Sequence, residues 1–199
     1  MINRLNHLNL SSEAQEKLMR YVEMLQKWNK TFNLIGKCSL EELYTKHILD
    51  SLSVISDVSG EKILDVGTGA GLPGVPLAIA LPEKSFTLID SNSKKTRFLT
   101  QVCLELDIQN IHIVNERVEQ YHPALCFDSI ISRAFSSVQN MVELTQHLLC
   151  QFGYILCMKG KIPEVEFAGL EEAFTISVQR LAVEGLMADR HLIMLQRKS

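Results

Sequence analysis

The residues best equipped for chemistry lie between positions 65 and 74, in the run Asp65-Val66-Gly67-Thr68-Gly69-Ala70-Gly71-Leu72-Pro73-Gly74. Glycines let the backbone turn sharply and let a ligand approach with no Cβ atoms in the way. Pro73 and Pro76 fall where the next helix would start, a place where a missing N–H costs little, and Pro82 marks its end. A G-x-G-x-x-G pattern occurs at Gly69, Gly71 and Gly74. A dinucleotide fingerprint, however, sets its first glycine directly after the strand, and that place belongs to Gly67. Asp65 puts a carboxylate at the strand's carboxyl end, where it would repel a pyrophosphate and attract a cation.

Read as D-x-G-x-G-x-G, the segment suits S-adenosylmethionine, whose methionine end carries an ammonium and a sulfonium. Asp65, Gly67, Gly69 and Gly71 are the contacts this reading offers. Asp90 closes the next strand-like run and can accept hydrogen bonds from both ribose hydroxyls; the structural alternative is a cap for the helix starting near Ser93. After the third run come Asn115-Glu116-Arg117-Val118-Glu119. Backbone groups of Val118 and Glu119 could read the adenine edge there, and a charged surface turn is an equal alternative.

The fourth strand-like run ends in Ser132-Arg133-Ala134-Phe135. It has neither the N/D-P-P-Y/F/W loop of exocyclic amine methylation nor a Pro-Cys nucleophile for cytosine C5. Guanine N7 needs neither, because its exposed lone pair can attack a methyl sulfonium without losing a proton. Holding N7 in line with the methyl–sulfur bond is then enough, which is catalysis by proximity and orientation. Arg133 is the candidate catalytic residue, gripping the cofactor carboxylate, an RNA phosphate or guanine O6; a salt bridge to a core carboxylate is the structural alternative. Lys94, Lys95, Arg97, Lys159 and Lys161 sit near the expected opening, each more simply a solvated side chain. Trp28 and Phe32 could stack on bases, although Trp28 lies on an apolar helical stripe.

These residues need a frame. Ser12 and Gln15 have capping-box spacing ahead of Ala14, Leu18, Tyr21, Val22, Leu25 and Trp28. Ser39 and Glu42 repeat the signature ahead of Leu40, Leu43, Tyr44, Ile48 and Leu52. Two amphipathic helices are therefore predicted in an N-terminal helical extension over residues 1–58. From about Glu61 the rhythm alternates. Strands are predicted at 62–66, 86–89, 111–114, 129–131, 154–158, 174–178 and 191–195, and helices at 74–81, 93–106, 137–150 and 163–172. Such alternation predicts an α/β, Rossmann-like core over residues 59–199, a mostly parallel seven-stranded sheet flanked by helices. The last two strands lack a clear helix between them, which leaves an antiparallel pairing open.

Composition limits the partners. A chain of 199 residues with 46% hydrophobic content can bury a proper core. Its formal net charge of -3 argues against nonspecific coating of nucleic acid but leaves room for a local basic patch. Five cysteines (Cys38, Cys103, Cys126, Cys150, Cys157) form no C-x-x-C pair and are expected to be reduced, mostly buried thiols. Six scattered histidines show no ligand spacing, so no metal is expected. No apolar run has membrane-span length and the N-terminus has no hydrophobic signal region; the expected location is the cytoplasm.

Taken together, the segments resemble the bacterial small-subunit ribosomal RNA methyltransferase G family (RsmG, also called glucose-inhibited division protein B, GidB). The resemblance rests on Trp28-Asn29-Lys30 through Asn33-Leu34, His47-Ile48-Leu49-Asp50-Ser51, the 65–74 loop, Leu88-Ile89-Asp90-Ser91, Phe127-Asp128 through Phe135, and Lys159-Gly160. Gln151-Phe152-Gly153 departs from the Pro-Gly-Gly turn common before the fifth strand. The resemblance implies a class I S-adenosylmethionine-dependent fold and N7 methylation of guanine 527 in 16S rRNA. It also implies a partner in that RNA or the small subunit, and cofactor contacts at Gly67, Leu72, Val118, Glu119 and Arg133. A small-molecule methyltransferase, a non-catalytic RNA- or ribosome-binding module and, more distantly, an NAD-dependent oxidoreductase are the rival readings.

Overall fold

The computed structural model describes residues 8–133, 137–162 and 164–198, the side chains of Glu164 and Val165 excepted. Residues 1–7 of the predicted extension, and Ala134 and Phe135 of the fourth-strand segment, lie outside the described residues. Seven strands form one sheet in the order β3-β2-β1-β4-β5-β7-β6. They are β1 (Lys62–Val66), β2 (Ser85–Ile89), β3 (Ile111–Val114), β4 (Phe127–Arg133), β5 (Leu149–Lys159), β6 (Phe174–Arg180) and β7 (His191–Arg197). Pairings among β1 to β5 are parallel, and β7 runs antiparallel to both β5 and β6. The reversal of strand order beside β1 opens a crevice at the carboxyl ends of β1 and β4, where open α/β sheets hold ligands.

The period-two alternation of apolar residues explains how the sheet is covered on both faces. Ile63, Leu88, Ile131, Leu156, Met158 and Leu192 face one hydrophobic cluster. Their chain neighbours Leu64, Ile89, Ile130, Ile155, Cys157 and Ile193 face the other. The first cluster receives α1 (Ser12–Phe32), α4 (Gly74–Ala80) and α5 (Ser93–Leu106). The second receives α6 (Val138–Thr145). Trp28 packs against Phe98 of α5 with ring centroids 5.4 Å apart, as its place on the apolar stripe predicts.

Local chemistry sets the helix ends. Helix α1 is capped by Ser11 rather than Ser12, the Ser11 side chain accepting from the Ala14 amide. It stops at Asn33, which adopts the left-handed conformation (φ 50°) that asparagine tolerates. The Asn29 side chain accepts from the Ile35 amide, so the Trp28-to-Leu34 segment works as a helix stop. The capping box at Ser39 and Glu42 forms as predicted and opens α2 (Leu40–Leu43). The chain then widens into a π-helix over Tyr44–Leu49 before α3 (Asp50–Leu52).

Three expectations are corrected. Helix α6 ends at Thr145 and β5 already begins at Leu149, so the predicted 137–150 helix runs too far. Early pairing of Leu149 with Phe127, followed by a register shift, lengthens β5 past its predicted start. Gly153 lies inside that strand, where a Cβ would press to 2.9 Å from the Asp128 carbonyl, so the Gln-Phe-Gly departure is a close strand approach. The predicted 163–172 helix is reduced to a short 3-10 turn at Glu164–Phe167 followed by turns through Gly169, whose φ of +81° suits no helix interior. Finally, Cys126 and Cys150 form a disulfide with Cα atoms 5.0 Å apart. They flank the paired residues Phe127 and Leu149, so the strand register joins them, which sequence spacing does not reveal. Cys38, Cys103 and Cys157 are free thiols.

The glycine turn is built from beneath. Gly67, Gly69 and Gly71 all take positive φ (64°, 62° and 95°). The Gly67 and Thr68 amides donate to the Ile89 carbonyl, tying the turn to β2. Asp65 is fully buried, and its Oδ2 accepts from the Thr68 hydroxyl (2.6 Å) and the Gly74 amide (2.8 Å). Gly74 has no room for a Cβ, which would run into Leu88 and Asp65. From the far side, buried Tyr21 of α1 donates its hydroxyl to the Ala70 carbonyl at 2.7 Å. Burial pushes the Asp65 carboxyl up to about 6, against the opposing pull of the Thr68 and Gly74 hydrogen bonds and the Arg133 charge.

Two outcomes follow from this framework. Tyr21→Phe leaves the Ala70 carbonyl without its buried donor and is expected to cost about 1–2 kcal/mol. Urea unfolding should show a lower midpoint with an unchanged slope, and an unchanged midpoint would refute the bond's role. Asp65 binds its proton more tightly folded (about 6) than unfolded (3.8), so its contribution to stability is present below the lower value and is lost as pH rises through the upper one. Asp65→Asn should therefore gain on the wild type across that window, by on the order of 3 kcal/mol, and level off above it. A stability difference independent of pH would show that Asp65 titrates normally.

Candidate active site

Four of the sequence-predicted residues come together in one hollow of about 290 Å³ at the carboxyl ends of β1, β2 and β3. Gly67 leaves β1, Asp90 follows β2, and Val118 and Glu119 start the short 3-10 turn (Val118–Gln120) after β3. Val66, Ile89 and Leu144 give apolar wall, and Lys95, Glu116 and Arg117 complete the rim. Three carboxylates against two cations leave the hollow acidic on balance, which disfavours a phosphate-bearing ligand.

Asp90 is largely buried and does two jobs. Its Oδ1 accepts from the Asn92 amide (2.8 Å), setting up Asn92 to cap α5. Its Oδ2 accepts from the Gly69 amide at 2.9 Å and from Lys95 Nζ at 3.5 Å. The capping alternative is thus partly realised through a neighbour, while the carboxylate still borders the hollow. Asn115 donates to the Asp90 carbonyl at 2.9 Å, bringing the end of β3 alongside β2.

The other predicted contacts are placed differently. Gly69 stands at the edge through its bond to Asp90. Gly71 and Leu72 are buried behind the turn, and a Cβ on Gly71 would lie 2.7 Å from Leu99, so this glycine serves helix packing. Asp65 is not a wall of the hollow; it lies under the turn, with Oδ1 buried and unpartnered. That orphaned negative atom, the side-chain-poor bend and the acidic rim fit a cofactor with a cationic end and a ribose. Lys95, considered for RNA, is turned to Asp90, while Lys94, Arg97 and Lys161 face solvent.

Arg133, the candidate catalytic residue, lies in a second cleft of about 430 Å³ at the same edge of the sheet. Lys46, His47, Asp50, Met158, Lys159, Gly160 and Arg190 line it with Arg133. Arg133 Nη1 donates to Asp50 Oδ2 and to the Lys46 carbonyl, both at 3.1 Å, and Nη2 meets His47 Nδ1 at 2.9 Å. Arg190 Nε donates to the other Asp50 oxygen at 2.9 Å. The salt-bridge alternative for Arg133 is therefore real, and its partner comes from α3, ahead of β1. His47 is held down to about 4, first by desolvation and then by the charges of Arg133, Lys46 and Arg190, so it is neutral at physiological pH.

Sequence reasoning missed Arg190 and gave His47 and Asp50 no role. The signal for the latter two was the His-Ile-Leu-Asp-Ser segment itself; Arg190 follows a loop with no pattern. A larger hollow of about 690 Å³ lies along Arg180–Asp189, between β6 and β7. It has neither the glycine turn nor the β1–β3 strand ends, so its size does not make it the site. Among the described residues no cluster of potential metal ligands is present, and no helix is long and apolar enough to cross a membrane.

Comparison with known proteins places the chain in a family and a fold. Residues 14–193 match the family GidB, described as rRNA small subunit methyltransferase G. A ribosomal RNA small subunit methyltransferase G of Marinomonas sp. (strain MWYL1) is 47% identical over 190 residues, covering 95% of this chain and 91% of that protein. Its counterpart in Pseudomonas aeruginosa (strain LESB58) is also 47% identical, covering 94% and 89%. Among solved structures, the N-methyltransferase NodS of Bradyrhizobium japonicum, in complex with S-adenosyl-L-homocysteine, aligns with a TM-score of 0.56 at 18% identity, covering 84% of this chain and 92% of that one. The tRNA (m1A58) methyltransferase TrmI of Aquifex aeolicus aligns at 0.60 and 12% identity, covering 76% and 69%. These distant structures share the class I methyltransferase fold. By the match across nearly its whole length, the chain belongs to the rRNA small subunit methyltransferase G family.

Proposed function

We propose that this protein transfers a methyl group from S-adenosylmethionine to N7 of a guanine in 16S rRNA, the position that the family resemblance gives as guanine 527. The observation that carries the reading is the pairing of two hollows on one sheet edge, an acidic one around Gly67 and Asp90 and a basic one around Arg133. Such a substrate, as free RNA or within the small subunit or its precursor, places the protein in the cytoplasm.

Asp90 would accept from the ribose hydroxyls, and backbone groups of Val118 and Glu119 would meet the adenine edge. Gly67 and Gly69 keep side chains out of the approach, while Asp65, Gly71 and Leu72 hold the turn from behind. Asp65 adds negative potential below the bend. When bound, the cofactor supplies a methyl group activated on a sulfonium. N7 offers a lone pair, so no side chain has to remove a proton, and the protein's task is alignment and exclusion of water. Neutral His47 and the Asp50-bound Arg133 match that demand: neither is a competent base at neutral pH. Arg133 would grip an RNA phosphate or guanine O6, contacts that position the base without creating charge at N7.

Gly67→Glu puts a charged side chain into the acidic hollow at a residue with positive φ. It is expected to weaken S-adenosylmethionine binding on the order of 100-fold or more while the protein stays folded. Calorimetry on a variant with an intact unfolding transition checks this, and unchanged affinity would remove the turn from the cofactor site. For the reaction, small subunits or 16S rRNA treated with enzyme and cofactor should yield 7-methylguanosine at one position on mass mapping. Arg133→Ala should lower the yield by a factor of about 10 to 100. Methyl incorporation at another base atom, or only into a small-molecule extract, would refute the assignment.

A further inference from the structure

The His47-x-x-Asp50 segment carries a charge arrangement that methyl transfer alone does not require. Asp50 is almost fully buried and spends one oxygen on each of two arginines that are far apart in sequence, Arg133 at the end of β4 and Arg190 immediately before β7. Two guanidiniums drawn to one carboxylate leave one positive charge in excess, and both side chains keep an exposed edge in the cleft. These contacts engage Arg133 through Nη1 and Nη2 and Arg190 through Nε and Nη1. Backbone carbonyls add further anchors, Lys46 accepting from Arg133 Nη1 and Asp189 from Arg190 Nη1. The Lys46 carbonyl is presented by the π-helix over Tyr44–Leu49, a helical irregularity that often marks functional positions.

His47 completes the arrangement by logic of donors and acceptors. A guanidinium has no lone pair to offer, so His47 Nδ1 must accept from Arg133 Nη2. The ring proton then sits on Nε2, making that atom a donor. Lys159 lines the same cleft, its charge partly balanced by Glu166 at 3.9 Å. Fixed donors with excess positive charge suit a tetrahedral oxyanion, and arginine forks match phosphate geometry.

We propose that Asp50 is a positioning residue that clamps Arg133 and Arg190 into a single seat for one phosphodiester of the RNA substrate, with His47 locked as a further donor to it. This inference rests on the RNA-methylating function proposed above. It makes a counterintuitive demand. Asp50→Asn removes a negative charge from the cleft, so attraction by net charge alone predicts tighter RNA binding and a steeper salt dependence. A lost clamp predicts the opposite.

The test measures KM for small-subunit RNA, the salt dependence of RNA binding and S-adenosylmethionine affinity in wild type, Asp50→Asn, Arg190→Lys and the double variant. Arg190→Lys keeps the charge and loses the fork, and it decides alone if Asp50→Asn does not fold. The expected result is a rise in KM of about ten-fold in each single variant. It comes with a smaller change in kcat, cofactor affinity within about two-fold, and a salt slope shallower by about 0.7 for one lost single-strand phosphate contact. The double variant should be little worse than either single one, because both break the same seat. Unchanged or lower KM in the variants, a steeper salt slope, or effects that multiply would overturn the clamp while leaving the methyltransferase reading intact. A wild-type protein that methylates no small-subunit RNA would overturn both.

Discussion

The glycine turn after β1 depends on a buried carboxylate. An ionised group in an apolar interior is costly unless its oxygens are satisfied, and Asp65 satisfies one of them entirely from the turn it supports. Thr68 and Gly74, six residues apart, are pinned to the same atom. That pinning fixes where α4 begins and brings Gly69 within reach of Asp90. The second oxygen stays unpaired beneath the bend. The turn is thereby held in shape by the group that also gives it its electrical character.

Much of this was legible in the sequence, for identifiable reasons. Ile63, Leu64, Leu88, Ile89, Ile130 and Ile131 alternate between two covered faces, so short apolar runs separated by turn residues read directly as strands. The capping box at Ser39 and the helix Ser93–Leu106 are local signals and appear where local rules put them. The hollow's members Gly67, Asp90, Val118 and Glu119 were legible because parallel strands deliver their carboxyl ends to one edge. What stayed hidden is non-local. The early start of β5, the Cys126–Cys150 disulfide and the meeting of Asp50 with Arg133 and Arg190 all depend on register or on packing between distant segments. Gly71 illustrates a subtler limit. Its type and spacing match a ligand turn, yet its lack of a side chain is used against Val75 and Leu99.

The two hollows divide the electrostatic work. The one around Asp90 is rimmed by carboxylates partly balanced by Lys95 and Arg117, whereas the one around Arg133 carries excess positive charge despite Asp50. On the proposed reading, a small acidic chain would address a polyanion with one local patch, without the overall basic charge that nonspecific RNA binding uses. Specific recognition is then a matter of donor placement more than of field strength.

Tyr21 reaches the turn at Ala70, and Lys46, His47 and Asp50 reach the arginines, so helices encoded before the first strand brace both halves of the site. Tyr21 meets Ala70 directly after β1, whereas Asp50 meets its two arginines only across the later segments that carry Arg133 and Arg190. The Asp50 cluster therefore joins the helices ahead of the first strand to the residue that precedes the last one, and a chain cut short of Arg190 would leave one Asp50 oxygen without its arginine.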